Sequence, residues 1–343
     1  MCIRDSCRGK LESDWSGGSG DAIACLCVRS GFDLILQALD LPEGSEILFS
    51  ALTIADMPRV AEANGLVPVP VDVGPDFHIN ASEISRAVTE KSRVLVIAHL
   101  FGARGDLSEV LQVAREHRLF VIEDCAQAFT GPQWRGTPGA DASLFSFVTI
   151  KTMTAFGGAL CRMNDKALLR KMQEIEAGYP VKSRFSQFIK IAKFALMKLA
   201  STKLMFGWLT GLCGFFNKPV DELLRGFTRA FPPGELVTHL RFRTDTGTLR
   251  MLTRRMSNYD PGRVRLRQDH ARQIISRLGL GESQRDLLDE THGFWLFPLV
   301  THDHERLMKH LRNEGFDSTQ RGALIVVNAP DPDRGNSCPV AVD

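Results

Sequence analysis

Val121-Ile122-Glu123-Asp124-Cys125-Ala126-Gln127-Ala128, followed shortly by Leu144-Phe145-Ser146-Phe147-Val148-Thr149-Ile150-Lys151, decides how this chain is read, because each stretch sets a chemically useful charge just past a short apolar run. The first supplies carboxylates and the second a lysine. In open α/β sheets ligands sit beyond the carboxyl ends of parallel strands, which is where Asp124 falls if these runs are strands. An amine able to hold an aldehyde, together with a carboxylate able to keep a pyridine nitrogen protonated, is what pyridoxal-phosphate chemistry requires. Singly the two residues say little, since acids often end strands as solvated groups and most lysines lie on the surface. Their arrangement gives them weight.

Working outward, short apolar runs at 46–49, 67–71, 94–98, 120–122, 143–147 and 158–161 alternate with segments of helical period at 54–64, 82–89 and 107–117. That alternation predicts a mostly parallel sheet with crossover helices on both faces. Gly65, Gly102 and Gly131 punctuate element ends, where a tight turn or positive φ is often wanted. Farther on, residues 249–278 are arginine-rich and helical in period, 293–300 read as a strand, 304–313 as a helix and 323–327 as a strand, which together predict a smaller α+β domain. The expected organisation is an N-terminal segment over 1–29, a large domain over 30–180, an atypical apolar and lysine-rich helical insertion over 181–235, and a small C-terminal domain over 236–343. Both ends read as incomplete or foreign to the gene.

With 343 residues, 44% of them apolar, the chain can bury a sizeable core. Its 42 basic and 40 acidic residues nearly cancel, so no overall field favours nucleic acid, and a small-molecule substrate is expected. Eight cysteines are scattered without the paired C-x-x-C spacing of a zinc site or redox dithiol, so no metal is expected and a reducing cytoplasm is. The opening residues lack the apolar core of a signal peptide.

Residues 185–216 stand apart, being apolar and aromatic with Lys190, Lys193, Lys198 and Lys203 interspersed. Their longest uncharged run, 204–217, is 14 residues, short of the roughly 20 that cross a bilayer. On a helical wheel Lys190, Lys193 and Lys198 share a side, although Phe194 and Met197 intrude there and Lys203 lies away from them. Burial as a helical hairpin against the large domain or a dimer partner is the favoured expectation. The rival is an interfacial helix with lysines at anionic headgroups, giving a peripheral membrane contact.

The blocks Ser30-Gly31, Pro68-Val69-Pro70-Val71-Asp72, His99-Leu100-Phe101-Gly102, Glu123-Asp124-Cys125-Ala126-Gln127-Ala128, Phe145-Ser146-Phe147, and Lys151 with Gly157-Gly158-Ala159 stand in the order found in a known family. The chain resembles the DegT/DnrJ/EryC1/StrS family of sugar aminotransferases, vitamin B6 enzymes of fold type I. The likeness is closest over about 30–165 and looser over 249–327. It implies a large α/β domain built on a mostly parallel seven-stranded sheet flanked by helices, with a smaller C-terminal α+β domain. It also implies pyridoxal 5'-phosphate as cofactor, with Lys151 forming the internal aldimine and then shuttling the proton between substrate carbon and cofactor. Asp124 would pair with the pyridine nitrogen, Gln127 would contact the ring oxygen, and Ser146 would donate its hydroxyl to the phosphate. Gly31 and the backbone of Phe32, at the start of a helix over 32–39, would offer amides to the same phosphate. The substrates implied are a nucleotide-linked keto-sugar and an amino donor, glutamate, in polysaccharide biosynthesis, and the implied assembly is a homodimer.

The pattern departs from the family at three places. Phe32 replaces the usual threonine of the phosphate loop, so a hydroxyl ligand is lost. Ile54 stands where an aromatic residue usually covers the open face of the ring. The glycine-asparagine segment that reaches into a neighbouring subunit is not recognisable, and the lysine-rich stretch occupies its region. Two rival readings follow: a relative with an eroded site, acting as a membrane-associated binding protein, or another B6 reaction such as deoxysugar dehydration. Family dehydratases carry histidine at the lysine position, so Lys151 speaks against the second. His99 and Cys125 read as structural, Gly157-Gly158 as close backbone packing behind Lys151, and Arg254, Arg255, Arg263, Arg265 and Arg267 as a solvated helix face.

Overall fold

The computed structural model describes residues 3–74, 76–200, 202, 236–278, 291–299, 301, 303–316, 318 and 324–328. Its centre is a seven-stranded sheet of β1 (Ala22–Cys25), β2 (Glu46–Ser50), β4 (Val67–Val71), β5 (Ser92–Ala98), β6 (Phe120–Asp124), β7 (Ala142–Ser146) and β8 (Ala159–Met163), ordered β1-β8-β7-β6-β5-β2-β4. Neighbouring strands pair in parallel from β4 to β7, and β8 runs antiparallel to both of its neighbours. This is the mostly parallel sheet that the alternating pattern predicts. Pro68 and Pro70 are tolerated in β4 because it is an edge strand, where a missing amide costs no ladder hydrogen bond on the open side.

Helices cover both faces. Helix α2 (Val28–Leu39) buries Phe32, Leu34, Ile35, Leu36 and Ala38 in one core cluster with Ile47, Phe49, Val94, Val96 and Ile122. On the other face α4 (Ala81–Ala87) and α5 (Ser108–Glu116) contribute Ile84, Val110, Leu111 and Ala114 to a second cluster with Leu48, Leu95, Ile97 and Val121. Central strands therefore show apolar side chains on both faces, which is why β5 and β6 read as continuous apolar runs rather than alternating ones.

The expectation that residues 1–29 form a separate segment gives way to a different arrangement. Strand β1 is part of the sheet, and α1 (Ile3–Ser16) seats Leu11 and Trp15 in a third cluster with Phe145, Phe147, Leu249 and Leu252. Polar ties reinforce it: Ala24 N donates to Glu12 Oε1 at 2.8 Å, Arg8 pairs with Glu12 and Glu176, and Arg4 Nε donates to the Thr244 carbonyl at 3.0 Å. Apart from the Arg8–Glu12 pair one turn apart within α1, these contacts join segments 12 or more residues apart, so period and propensity give no sign of them.

The arginine-rich stretch forms two helices, α9 (Thr246–Ser257) and α10 (Gly262–Leu278), following the short α8 (Leu236–Leu240). The break falls at Asp260-Pro261. Asp260 Oδ1 accepts from Gly262 N at 2.8 Å and the Pro261 carbonyl starts the next helix by accepting from Val264 N, so the turn chemistry overrides the helical period. The helix expected at 304–313 is α11 (His304–Asn313). The expected C-terminal strand is β9 (Leu324–Val326). It joins no C-terminal sheet among the described residues and pairs antiparallel with β3 (Leu52–Ile54), setting Leu324 opposite Ile54.

Candidate functional site

Strands β6 and β7 are parallel neighbours, so Asp124 and Ser146 end on the same edge of the sheet and the loop after β7 carries Lys151 to that edge. Asp124 is buried. Its Oδ1 accepts from Ala126 N at 3.0 Å, and among the described residues no hydrogen bond meets its Oδ2. Burial pushes this carboxyl up, opposed by the Ala126 amide and by the charge of Lys151. The Lys151 ammonium is pulled down to about 8 by burial, against the attraction of Asp124 and with the repulsion of Arg29. Two groups of opposite charge thus share one desolvated place, each tuned partly by the other.

The position of the lysine sets a testable pH dependence. Its ordinary value is 10.5 and its folded value about 8, so between those two the unfolded chain binds more protons and stability rises with pH. Over the same titration the free amine appears. The rate at which the cofactor-free protein takes up pyridoxal phosphate, followed by visible absorption, is expected to rise to a plateau with a midpoint near pH 8. A midpoint near the ordinary lysine value would mean that the amine is solvated and untuned.

Gln127 Oε1 accepts from Phe101 N at 2.7 Å, which turns the amide NH2 outward as a donor. Phe101 and Gly102 have φ of +57° and +106°, and on this turn the segment 291–299 docks: Gly293 N donates to Gly102 O at 2.7 Å and Leu296 N to Phe101 O at 3.1 Å. A Cβ on Gly102 would lie 2.8 Å from Trp295 N, so only glycine admits this approach. Over 293–299, the described part of the strand expected at 293–300, no strand is formed, because its partner is a left-handed turn that offers no ladder to continue. The docking delivers a residue that no motif flagged. Trp295 lies with its ring centroid 4.4 Å from Lys151 Nζ, while its own Nε1 donates to the Ile150 carbonyl at 2.8 Å.

Helix α2 starts earlier than the resemblance implies. Gly31 N already donates to Cys27 O at 3.1 Å, and Phe32 is fully buried, edge-to-face with Phe49 at 6.0 Å. A Cβ on Gly31 would come within 2.5 Å of Cys161 Sγ, so this glycine lets the helix pack closely on the sheet. The geometry therefore does not present the amides of Gly31 and Phe32 to a ligand. The first turn also brings in Arg29, 13% exposed and ion-paired with Asp56, whose charge is felt at both Lys151 and Asp124. Ile54 is half-buried at the end of β3. Sequence reasoning passed over Arg29 and Asp56, although both adjoin residues it singled out.

His99 is buried and bonded within the protein. His99 Nε2 lies 2.9 Å from Glu123 Oε1, and Glu123 also accepts from Thr137 N, Thr137 Oγ1 and Ser143 Oγ. Burial would raise the Glu123 carboxyl, but these bonds hold it below its ordinary value. His99, Glu123 and Cys125 lie close enough for a metal, yet Thr137 Oγ1 already donates to Oε1 of the carboxylate and Thr137 N and Ser143 Oγ to its Oε2. Gly158 N donates to Leu26 O at 3.0 Å and its carbonyl accepts from Phe147 N, which is backbone packing behind Lys151. Arg254, Arg255, Arg263 and Arg265 are exposed, while Arg267 is half-buried beside Tyr259.

The sheet order, with an acid and a lysine gathered at its carboxyl edge, defines an α/β protein of the fold type I class. NtdA of Bacillus subtilis, solved with bound cofactor PMP, superposes with a TM-score of 0.62 at 20% identity, covering 92% of this chain and 62% of that one. The chain belongs to the DegT/DnrJ/EryC1/StrS aminotransferase family, whose model matches residues 14–192. It is 34% identical over 139 residues to the GDP-perosamine synthase of Escherichia coli O157:H7, covering 39% of this chain and 38% of that one. To the GDP-perosamine synthase of Caulobacter vibrioides it is 32% identical over 168 residues, 48% and 45% of the two chains. The matched region thus spans less than half the length of either synthase.

Proposed function

We propose that this protein is a pyridoxal-phosphate-dependent aminotransferase that moves an amino group, from glutamate, onto a nucleotide-linked keto-sugar. The observation that carries the reading is the buried Asp124 and the half-buried Lys151 at the carboxyl edge of the sheet, the lysine lowered to about 8. These residues fit the cofactor. A buried carboxylate with an unengaged oxygen suits a protonated ring nitrogen, and a lysine near neutrality suits an aldehyde. When bound, pyridoxal phosphate supplies the aldehyde that takes up an amine and a ring that accepts an electron pair.

In this reading Asp124 holds the ring nitrogen protonated. Lys151 would hold the cofactor through its Nζ, and the same Nζ would move the proton as general acid and base. The amide NH2 of Gln127, fixed by its bond from Phe101 N, meets the ring oxygen. Ser146 gives its hydroxyl to the phosphate, which also meets the amides ahead of Gly31 at the start of α2. Arg29, anchored by Asp56, would add a cation at the start of α2 in compensation for the hydroxyl that Phe32 lacks. Trp295 and Ile54 are the apolar surfaces that limit water at the reacting atoms, Trp295 taking the aromatic part that Ile54 cannot.

The sugar class rests on the names of the two GDP-perosamine synthases, and the glutamate donor and homodimer on the family resemblance. A cytoplasmic location is supported by the free thiols of Cys7, Cys25, Cys27, Cys125 and Cys161. The eroded-relative reading is disfavoured by the intact charge pair. The deciding experiment loads the protein with pyridoxamine phosphate and adds GDP- and UDP-linked keto-sugars singly, following the visible absorption of the aldehyde form. At least one should restore that absorption. If none does while simple 2-keto acids do, the sugar-nucleotide assignment is lost.

A further inference from the structure

Helix α7 (Arg184–Ala200) is turned inside out. Gln187, Lys190, Lys193 and Phe194 form its inner side: Phe194 stacks on Phe156 with ring centroids 5.8 Å apart, and Lys190 Nζ lies 3.1 Å from where a Cβ on Gly157 would sit. That is why Phe194 interrupts the lysine side of the wheel. The opposite arc, about 100° wide at about 100° per residue, carries Phe185, Phe188, Ile189, Leu196 and Leu199. All five are exposed, Phe185 by 71% and Phe188 by 66%. A surface helix of a globular protein buries its apolar arc and shows its polar one to water. Among the described residues nothing covers this arc; the second half of the hairpin expected over 185–216, buried against the large domain or a dimer partner, lies outside the described residues.

Charge identifies the occupant. The helix holds Arg184, Lys190, Lys193 and Lys198 and no acid, and the sequence from 177 to 220 contains seven basic residues and no aspartate or glutamate. A two-fold contact with a second copy would bring two such net-positive stretches together, with no acid between 177 and 220 to offset them. An anionic lipid surface answers both features, since aromatic and aliphatic side chains enter the acyl boundary while the exposed Lys198 and the net positive charge of the stretch 177–220 favour the headgroups. At 17 residues the helix is about 25 Å long, less than the roughly 30 Å of hydrocarbon it would have to cross. No helix among the described residues is long and apolar enough to span a membrane.

We propose that α7 lies in the plane of an anionic membrane surface through its outward apolar arc. Its inner side rests on Phe156 and Gly157, in the loop that follows Lys151, so docking brings the candidate site to the face of the bilayer. The contact is independent of the aminotransferase reading and holds whether or not that reaction occurs.

The test is flotation of the full chain with vesicles of phosphatidylcholine alone or phosphatidylcholine mixed with phosphatidylglycerol. Wild type is expected to float with the anionic vesicles about tenfold more than with the neutral ones, and less at high salt. Phe188→Glu with Leu196→Glu should lower anionic flotation about tenfold or more at an unchanged melting temperature, both side chains being exposed. Lys198→Glu, which leaves the apolar arc intact, should lower it several-fold. Wild type that stays unbound with anionic vesicles, or binds neutral ones equally, overturns the proposal, as does a double variant that floats like wild type. A double variant with half the wild-type mass by light scattering, where neither protein floats, would instead assign the arc to a second copy.

Discussion

Replacing Lys151 by alanine is expected to lower the transamination rate by about 10³-fold or more, since the variant loses both the covalent hold on the cofactor and the proton carrier. Two readouts separate this from a folding defect. The protein should no longer acquire the visible absorption of lysine-bound pyridoxal phosphate, yet its cofactor-free melting temperature should not fall. The second expectation follows from burial. Holding the Lys151 amine in the fold brings it down to about 8 from 10.5, so charging it at neutral pH costs stability that alanine does not incur. Lys151→Arg is the sharper control, because it restores the positive charge facing Asp124 without a usable amine. Full activity or undiminished visible absorption in either variant would remove Lys151 from the reaction.

The second large effect is expected at Asp124. Asn is nearly isosteric and keeps the acceptor for Ala126 N, but it carries no charge to hold a ring nitrogen protonated. A fall in turnover of about 10² to 10³-fold is expected, the range for removing one preorganised electrostatic group. Because burial already pushes the Asp124 carboxyl up, the ionised form is strained at neutral pH, and Asp124→Asn should leave the cofactor-free protein as stable or more so. The same charge holds up the Lys151 ammonium. Its removal should therefore move the pH midpoint of cofactor uptake below the wild-type value. A variant with normal turnover and an unmoved midpoint would show that the two groups are not coupled and that Asp124 only ends its strand.

Much of this was legible in the sequence because it depends on local chemistry. The apolar runs at 46–49, 67–71 and 120–122 lie within observed strands, and 304–313 is helical to the residue, since Asp303 caps it by accepting from Arg306 N. Asp124, Ser146 and Lys151 could be placed at one edge because parallel strands present their carboxyl ends together. The start of α2 was misplaced for a reason specific to it: Gly31 resembled a loop glycine, but its absent Cβ serves contact with Cys161, across the helix-to-sheet interface. The extra turn at Val28 brought Arg29 to Asp56, a pairing across 27 residues that no window could contain.

By itself, then, the sequence determined the order of the sheet-forming runs, the acid and lysine that end two of them, and the family whose spacing they share. These follow from periodicity and from chemistry carried by residue type, which are properties of neighbours along the chain. Only the tertiary structure decided that β1 completes the sheet and α1 joins its core, that a turn at Phe101 and Gly102 seats Trp295 over Lys151, and that α7 turns its apolar arc outward. Each depends on contacts between segments far apart in sequence, where shape and desolvation rather than local propensity select the arrangement. The lysine that opened the reading is tuned by that distant packing: burial brings it down to about 8, while the residue types alone could say only that an amine was there.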